Sequence, residues 1–351
     1  YQQQMINHLK TDHSRVLCTT AQIGEGFLTT LWHTEMPILR MAPVPMRLLS
    51  ESVRAQQFKV VLTGEGADEV LGGYDIFKEG KLRQFWARHP DSEWRAQLFK
   101  KLYPYLELPP GKASAYFRNF FGVGLDRPEH PGFAHFPRWD TTAKAKLFFS
   151  EALQAQLREN AQVRLLESLP PAISSWSPFQ RSQYIEAKVL MGAYLLCSQG
   201  DRMLMANSVE GRFPFLDHRV IEFANQLRPT LKMRGLNEKY LLKKAMQRYL
   251  PPSIVERHKQ PYRAPDIPAF LKANGQLQDI AASLLSPEKI RDYGYFDEKK
   301  VSLLVRKVER GGAIGYKDNQ SWVGILSTQA LHYLFIENFH SRLRKNPKQI
   351  Y

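Results

Sequence analysis

One stretch constrains the architecture of this chain more than any other. Phe58-Lys59-Val60-Val61-Leu62 runs directly into Thr63-Gly64-Glu65-Gly66-Ala67-Asp68-Glu69-Val70-Leu71-Gly72-Gly73-Tyr74. A short β-branched run that ends at a glycine-bearing turn and passes into a helix-like segment marks an α/β unit. Residues 46–57, just before it, carry helical periodicity. Helix, strand, loop and helix in that order predict a mostly parallel sheet in a largely helical protein. In open α/β sheets, ligands bind beyond the carboxyl ends of the strands. There the chain places Gly64 and Gly66, which let backbone N–H groups approach a phosphate closely. It also places three carboxylates within five residues, Glu65, Asp68 and Glu69. Carboxylates repel phosphates unless a hard cation lies between them, and Mg²⁺ takes both oxygen types at once. The stretch therefore reads as a Mg-nucleotide site. The plainer alternative is a polar turn in which Asp68 or Glu69 caps the helix.

The 351 residues predict roughly two domains, or one with an insertion. Residues 1–79 read as part of a nucleotide-binding α/β core: a helix over 2–9, a strand over 14–20 and a helix over 23–35. A connection punctuated by Pro37, Pro43 and Pro45 follows. Residues 80–178 are rich in aromatics and prolines, with weak periodicity, and read as an irregular and helical insertion. Residues 179–351 are again helical. Asp217 is the expected cap of a helix over 218–227, and Asn237 of one over 238–249 that Pro251-Pro252 stops. Further helices are expected over 266–273, 297–309 and 319–339.

Lys and Arg number 49 against 34 Asp and Glu, a formal charge of +15. Clustered cations favour phosphate-bearing partners. Here the basic stretches are short: Lys100-Lys101, Lys299-Lys300 and the tail 341–348. None carries the interleaved aromatics of an RNA-binding sheet, so a nucleotide triphosphate suits the charge better than a nucleic acid. No uncharged apolar run approaches the ~18 residues of a spanning helix, and residues 1–13 lack the pattern of a signal peptide. Cys18 and Cys197 are too few for a disulfide framework or a four-cysteine zinc site. The expectation is a soluble, cytoplasmic protein.

The 63–74 string closely resembles the SGEGADE…GGY signature of the synthetase domain of glutamine-hydrolysing asparagine synthetases, members of the PP-loop ATP-pyrophosphatase class. A second match is Asp201-Arg202-Met203-Leu204-Met205-Ala206-Asn207-Ser208-Val209-Glu210-Gly211-Arg212-Phe213-Pro214-Phe215-Leu216-Asp217-His218, similar to DRMSMAHSLEARVPFLDH. A third is Arg257-His258-Lys259-Gln260, similar to that family's R-x-K-Q segment. The three occur in family order over roughly 8–270. The resemblance implies an α/β fold, mostly helical, with a parallel Rossmann-like sheet of the adenine nucleotide alpha hydrolase (PP-loop) type. It also implies ATP and Mg²⁺, with adenylation of a carboxylate, aspartate in the family. Pyrophosphate is released, and ammonia from glutamine then displaces AMP to give the amide. Two family features are missing from the sequence, the pyrophosphate-binding SGGLDSS loop and the N-terminal glutaminase domain with its nucleophilic cysteine. The chain opens in helix-like residues, so the expectation is a C-terminal piece of a longer protein, inactive alone. Homodimerisation is left open.

Position by position, the resemblance implies that Thr63, Gly64 and Gly66 contact nucleotide and that Asp68 ligates Mg²⁺. Glu65 lies at the acyl transfer, where a carboxylate can take the proton that ammonia loses. Lys259 is the expected catalytic cation, a compact charge for a developing phosphoryl or tetrahedral anion. The competing reading is a surface lysine beside Arg257 and His258. Arg40 falls where the family recognises its amino acid, and a guanidinium can grip a carboxylate bidentately. The family's paired threonines are absent from that loop, which opens the choice of acceptor. Glu69, Tyr74, Asp201 and Arg202 are expected to touch substrate or support those that do, although Asp201-Arg202 could equally tie helices together. Residues 212–217 read as scaffold, and His8, His13, His33 and His218 as structural or surface groups. Two alternatives remain. One is a related amidotransferase or β-lactam-synthetase-like ligase acting on another carboxylate. The other is a tRNA-modifying PP-loop protein.

Overall fold

The computed structural model of the protein describes residues 1–103, 112–157, 159–312 and 315–340. The basic tail 341–348 lies outside them. The fold is mostly helical around a small parallel sheet. Strand β1, Val60–Leu62, pairs in parallel with β2, Glu210–Arg212, in the register Val60 to Glu210, Val61 to Gly211 and Leu62 to Arg212. The ladder extends at both ends: Glu210 N–H donates to the Lys59 carbonyl at 2.7 Å, and Thr63 N–H to the Arg212 carbonyl at 3.0 Å. Two sequence motifs some 150 positions apart are thereby laid side by side. Among the described residues these are the only two strands of the sheet.

The expected strand over 14–20 does not form. Residues 11–19 have no regular structure, and Val16 and Leu17 are exposed. A strand needs a neighbour to satisfy its backbone groups, and no described strand lies beside this run. Thr19 instead caps the helix Thr20–Glu25, with Gln22 completing a capping box. The single helix expected over 23–35 divides into Thr20–Glu25 and Phe27–Thr34 at Gly26. A Cβ there would lie 2.8 Å from Val44 Cγ1, so the glycine is where the next helix passes closely. That helix, Pro43–Ala55, takes both its prolines into the first turn, where a missing N–H costs nothing.

Asp217 caps His218–Gln226 as expected, accepting from Arg219 N–H at 2.9 Å. Asn237 does not cap its helix. Its N–H and carbonyl exchange hydrogen bonds with Arg234, closing a tight turn, and the helix Tyr240–Met246 starts only after Lys239 at φ 47°. The turn sends Glu238 into the protein, where it pairs with buried Lys78 at 2.9 Å. It also frees Lys239 from the helix surface. The helix expected over 266–273 is a single 3-10 turn, Ile267–Phe270, which buries Ile267, Ala269 and Phe270 in the core.

The main core gathers Phe27, Leu31, Met41, Val44 and Phe270 against Trp322, Val323 and Leu326 of the helix Tyr316–His332. Phe27 meets Phe270 edge-on at 5.0 Å between ring centroids. A separate aromatic cluster within 80–178 stacks Phe99 on Phe121 at 3.9 Å, beside Trp86 and Phe117. Between these regions runs one long helical rod. Its first segment is Pro178–Ile185, and it widens to a π-helix over Glu186–Asp201 before tightening again at Arg202–Met205. π-Helical turns leave unusual side-chain spacing and recur at functional sites.

Candidate active site

The loop after β1 is shaped by two glycines with different duties. Gly66 sits at φ +88°, and a Cβ there would meet Leu216 Cδ2 at 2.2 Å. Leu216 belongs to the second motif, so the β1–β2 pairing presses that motif onto the loop. Gly64 is exposed, and a Cβ on it would find nothing within 4 Å. Its backbone is open to an incoming group. Thr63 hydroxyl donates to the Glu65 carboxylate. These residues stand at the carboxyl end of the strand, where α/β sheets place ligands.

The short helix Ala67–Leu71 then aims Asp68 at two lysines. Lys259 Nζ donates to Oδ2 at 2.6 Å and Lys239 Nζ to Oδ1 at 2.9 Å. Burial alone would push the Asp68 pKa up, but the two ammoniums outweigh it and hold the carboxylate below its usual range. Gly73 makes room for this group, since a Cβ there would lie 1.9 Å from Asp68 Oδ1. Lys259 Nζ also lies 5.6 Å from the centre of the Tyr74 ring. Tyr74 hydroxyl donates to Glu69 Oε1 at 2.7 Å. Glu69 is buried, and burial raises its pKa. Glu69 and Tyr74 thus back the loop rather than face its opening. Behind them, Gln183 Nε2 donates to the Glu69 carbonyl at 2.6 Å and its Oε1 accepts from buried Lys232 at 3.3 Å. Burial with no carboxylate beside it pulls the Lys232 pKa down to about 8.

The sequence-derived residues therefore divide. Thr63, Gly64, Glu65, Gly66, Asp68, Glu69, Tyr74 and Lys259 share one site. Arg202 stands apart, bonded to Glu35 at 2.7 Å, the His33 carbonyl at 3.0 Å and Cys197 Sγ at 3.3 Å. Asp201 is exposed and makes no ion pair with it among the described residues. Arg202 by itself ties the end of the π-helix to the helix Phe27–Thr34 and its C-cap Glu35. Arg40 lies in a second polar cluster, its Nη2 donating to Tyr316 hydroxyl at 2.5 Å. Lys239 was not legible beforehand, because Asn-Glu-Lys-Tyr-Leu-Leu-Lys-Lys reads as an exposed helix face. Only the turn at 234–237 reveals it.

Among the described residues no group of three His, Cys, Asp or Glu is arranged to hold a metal ion. The expected metal ligand, Asp68, has an ammonium on each oxygen. Mg²⁺ asks for only one or two protein carboxylates when it arrives with phosphates, and the same lysines are natural phosphate partners. The donor set fits a cation carried in with a nucleotide rather than one held permanently.

Comparison with known proteins gives the family of the chain. The sequence profile described as asparagine synthase matches residues 1–333. Amidase chyE of Penicillium rubens is 28% identical over 324 residues, which is 86% of this chain and 46% of that protein. Amidase chry2 of Gibberella zeae is 26% identical, over 77% of this chain and 41% of its own length. The glutamine-hydrolysing asparagine synthetase 1 of Bacillus subtilis is 27% identical, over 67% and 35% respectively. The chain spans less than half the length of these curated relatives. With its signature loop, its second motif and its lysine brought to one strand end, the chain belongs to the asparagine synthase family.

Proposed function

We propose that this chain is the synthetase part of a glutamine-dependent ligase of the asparagine synthetase type. On this reading its small parallel sheet belongs to a Rossmann-like PP-loop core. It converts aspartate and ATP to β-aspartyl-AMP and pyrophosphate, and then to asparagine with ammonia supplied by a separate glutaminase domain. The observation that carries this reading is the pair of ammoniums, Lys259 and Lys239, converging on Asp68 beside the open Gly64 backbone. Two point charges and the exposed backbone of Gly64 at a strand end suit a triphosphate.

In this scheme the arriving phosphates compete for the lysines and leave an Asp68 oxygen for the accompanying Mg²⁺. That cation would neutralise phosphate charge. Lys259 stabilises negative charge that grows as the carboxylate attacks the α-phosphorus, and Glu65 takes the proton lost by ammonia. Holding the two substrates in line supplies much of the remaining rate.

The choice of acceptor has a second reading, favoured by the names of the two fungal relatives and by the loop around Arg40, which lacks paired threonines. There the same adenylation serves a carboxylate other than aspartate. The test is ATP–pyrophosphate exchange by the full-length protein across a panel of carboxylates. Exchange that depends on aspartate supports the first reading, and exchange with another acid alone supports the second. No exchange with any carboxylate overturns the ligase assignment.

A further inference from the structure

Lys232 is 3% exposed, and its hydrogen bond among the described residues goes to Gln183 Oε1 at 3.3 Å. No carboxylate pairs with it there. An ammonium taken out of water against one neutral amide is costly, so a lysine kept in this place calls for a reason beyond packing.

Gln183 supplies the reason. It stands, buried, on the helix Pro178–Ile185, and its Nε2 donates to the Glu69 carbonyl at 2.6 Å and the Val70 carbonyl at 3.2 Å. Both carbonyls belong to the last turn of Ala67–Leu71, the five-residue helix that carries Asp68. Last-turn carbonyls have no partner within their own helix. The turn that follows closes on the Asp68 carbonyl, which accepts from the N–H groups of Gly72 and Gly73. Those of Glu69 and Val70 are left to Gln183. A helix this short has little stability of its own, so its end depends on the side chain that caps it.

A glutamine amide has two ends of nearly the same shape, and only the nitrogen end donates. Reversed, Gln183 would set its oxygen against the two carbonyls and its N–H groups against the Lys232 ammonium. Both contacts are repulsive. Lys232 therefore fixes which end faces the helix. Its stem also lies against the turn, since a Cβ on Gly72, at φ +73°, would be 3.6 Å from Lys232 Cβ. One residue before Glu69, Asp68 meets Lys259 at 2.6 Å and Lys239 at 2.9 Å.

We propose that Lys232 and Gln183 are positioning residues for Asp68. Lys232 orients the Gln183 amide, and Gln183 caps the helix end. The capped helix then holds the Asp68 carboxylate where the two lysines and an arriving Mg-nucleotide meet. Neither residue touches substrate. The inference rests on the ligase reading, in which Asp68 receives Mg²⁺ with the nucleotide, and extends that site to the residues behind it.

The experiment uses the full-length protein, with α,β-methylene-ATP as the probe and MgCl2 as the variable. Calorimetry gives the affinity for the analogue at each MgCl2 concentration, and hydrogen exchange reports the opening of residues 67–74. Lys232→Met keeps the stem and removes a charge that has no counter-charge, so its melting temperature should hold or rise. Amides of 67–74 should nonetheless exchange ~10-fold faster. The MgCl2 concentration for half-maximal binding should rise ~10-fold or more. Gln183→Glu gives Lys232 the carboxylate it lacks, which suits a lysine that serves stability alone, but it replaces the donor to the two carbonyls by an acceptor. It should show the same faster exchange and the same raised MgCl2 requirement. Wild-type exchange and MgCl2 requirement in Lys232→Met overturn the proposal. So does a normal Gln183→Glu beside an impaired Lys232→Met, because the amide is then not the link. The ligase reading fails separately. A wild type that does not bind the analogue with MgCl2 refutes that reading, and the exchange of 67–74 still decides whether Lys232 and Gln183 hold the helix.

Discussion

Replacing Lys259 by Met separates two contributions that one ion pair could otherwise conflate. Lys259 shares Asp68 with Lys239, and its side chain is 21% exposed against 17% for the aspartate. Removing one of two ammoniums leaves Asp68 partnered, so the penalty of an isolated buried charge does not arise. A hydrogen bond to a charged group contributes about 1.5–3 kcal/mol. Partial exposure and the relief of repulsion between the two lysines reduce this to about 1 kcal/mol. That corresponds to roughly 1–2 °C in melting temperature for a chain of 351 residues. Catalysis should respond on another scale. If the ammonium meets charge that develops only in the transition state, adenylate formation should fall by ~10²–10³-fold, equivalent to about 3–4 kcal/mol. The KM for ATP should move far less, because Lys239 remains to hold phosphate. Lys259→Arg should also perform poorly. The assay is single-turnover pyrophosphate release by the full-length protein, with thermal unfolding alongside. Normal turnover in a folded Lys259→Met variant refutes the catalytic role. A loss of turnover matched by a collapse in melting temperature would make the lysine a structural group.

Other perturbations test the surrounding framework. Asp68→Asn leaves two lysines facing each other without their counter-charge and should cost about 2–4 kcal/mol. The wild-type Asp68 pKa lies below its unfolded value of 3.8, so this stabilisation is complete above that value and is lost as pH falls beneath it. Acid unfolding of the variant should therefore be correspondingly shallower. Lys232 acts with the same sign in a higher pH window. Its folded pKa of about 8 lies below the unfolded 10.5, so the unfolded state binds more protons between them and stability should rise with pH across that window. In Lys232→Met that rise should vanish from denaturant midpoints measured at pH 7 to 10.5. Gly66→Ala combines a left-handed backbone with a Cβ driven into Leu216, and should cost about 1–3 kcal/mol. Leu216→Ala in the same chain should restore the steric part alone. Full restoration would show that backbone strain contributes nothing.

Much of this protein was legible from its order of residues. The short strand before Thr63, the parallel character of the sheet, the cap at Asp217 and the helix over 298–309 follow from local rules. Periodicity, turn chemistry and capping act over a few neighbouring positions. The turn after the strand was equally local, because Gly66, at φ +88°, takes a backbone conformation that glycine adopts most readily. The motifs at 63–74 and 257–260 implied a common site, and Lys259 on Asp68 is that meeting.

What local rules could not supply were the contacts made by residues far apart. Residues 14–20 have strand-forming composition but no strand to pair with, and pairing is a property of the neighbour rather than of the segment. Asn237 carries a cap signal, yet the turn it makes with Arg234 competes for the same backbone groups and wins. That outcome turns Lys239 from an apparent surface residue into the second cation on Asp68. The π-helical widening at Glu186–Asp201 leaves no periodic trace distinct from an ordinary helix. Charge balance at Asp68 arises only when remote segments fold against one another. Burial and electrostatic pairing are decided there, in three dimensions, after each segment's own preferences have been spent.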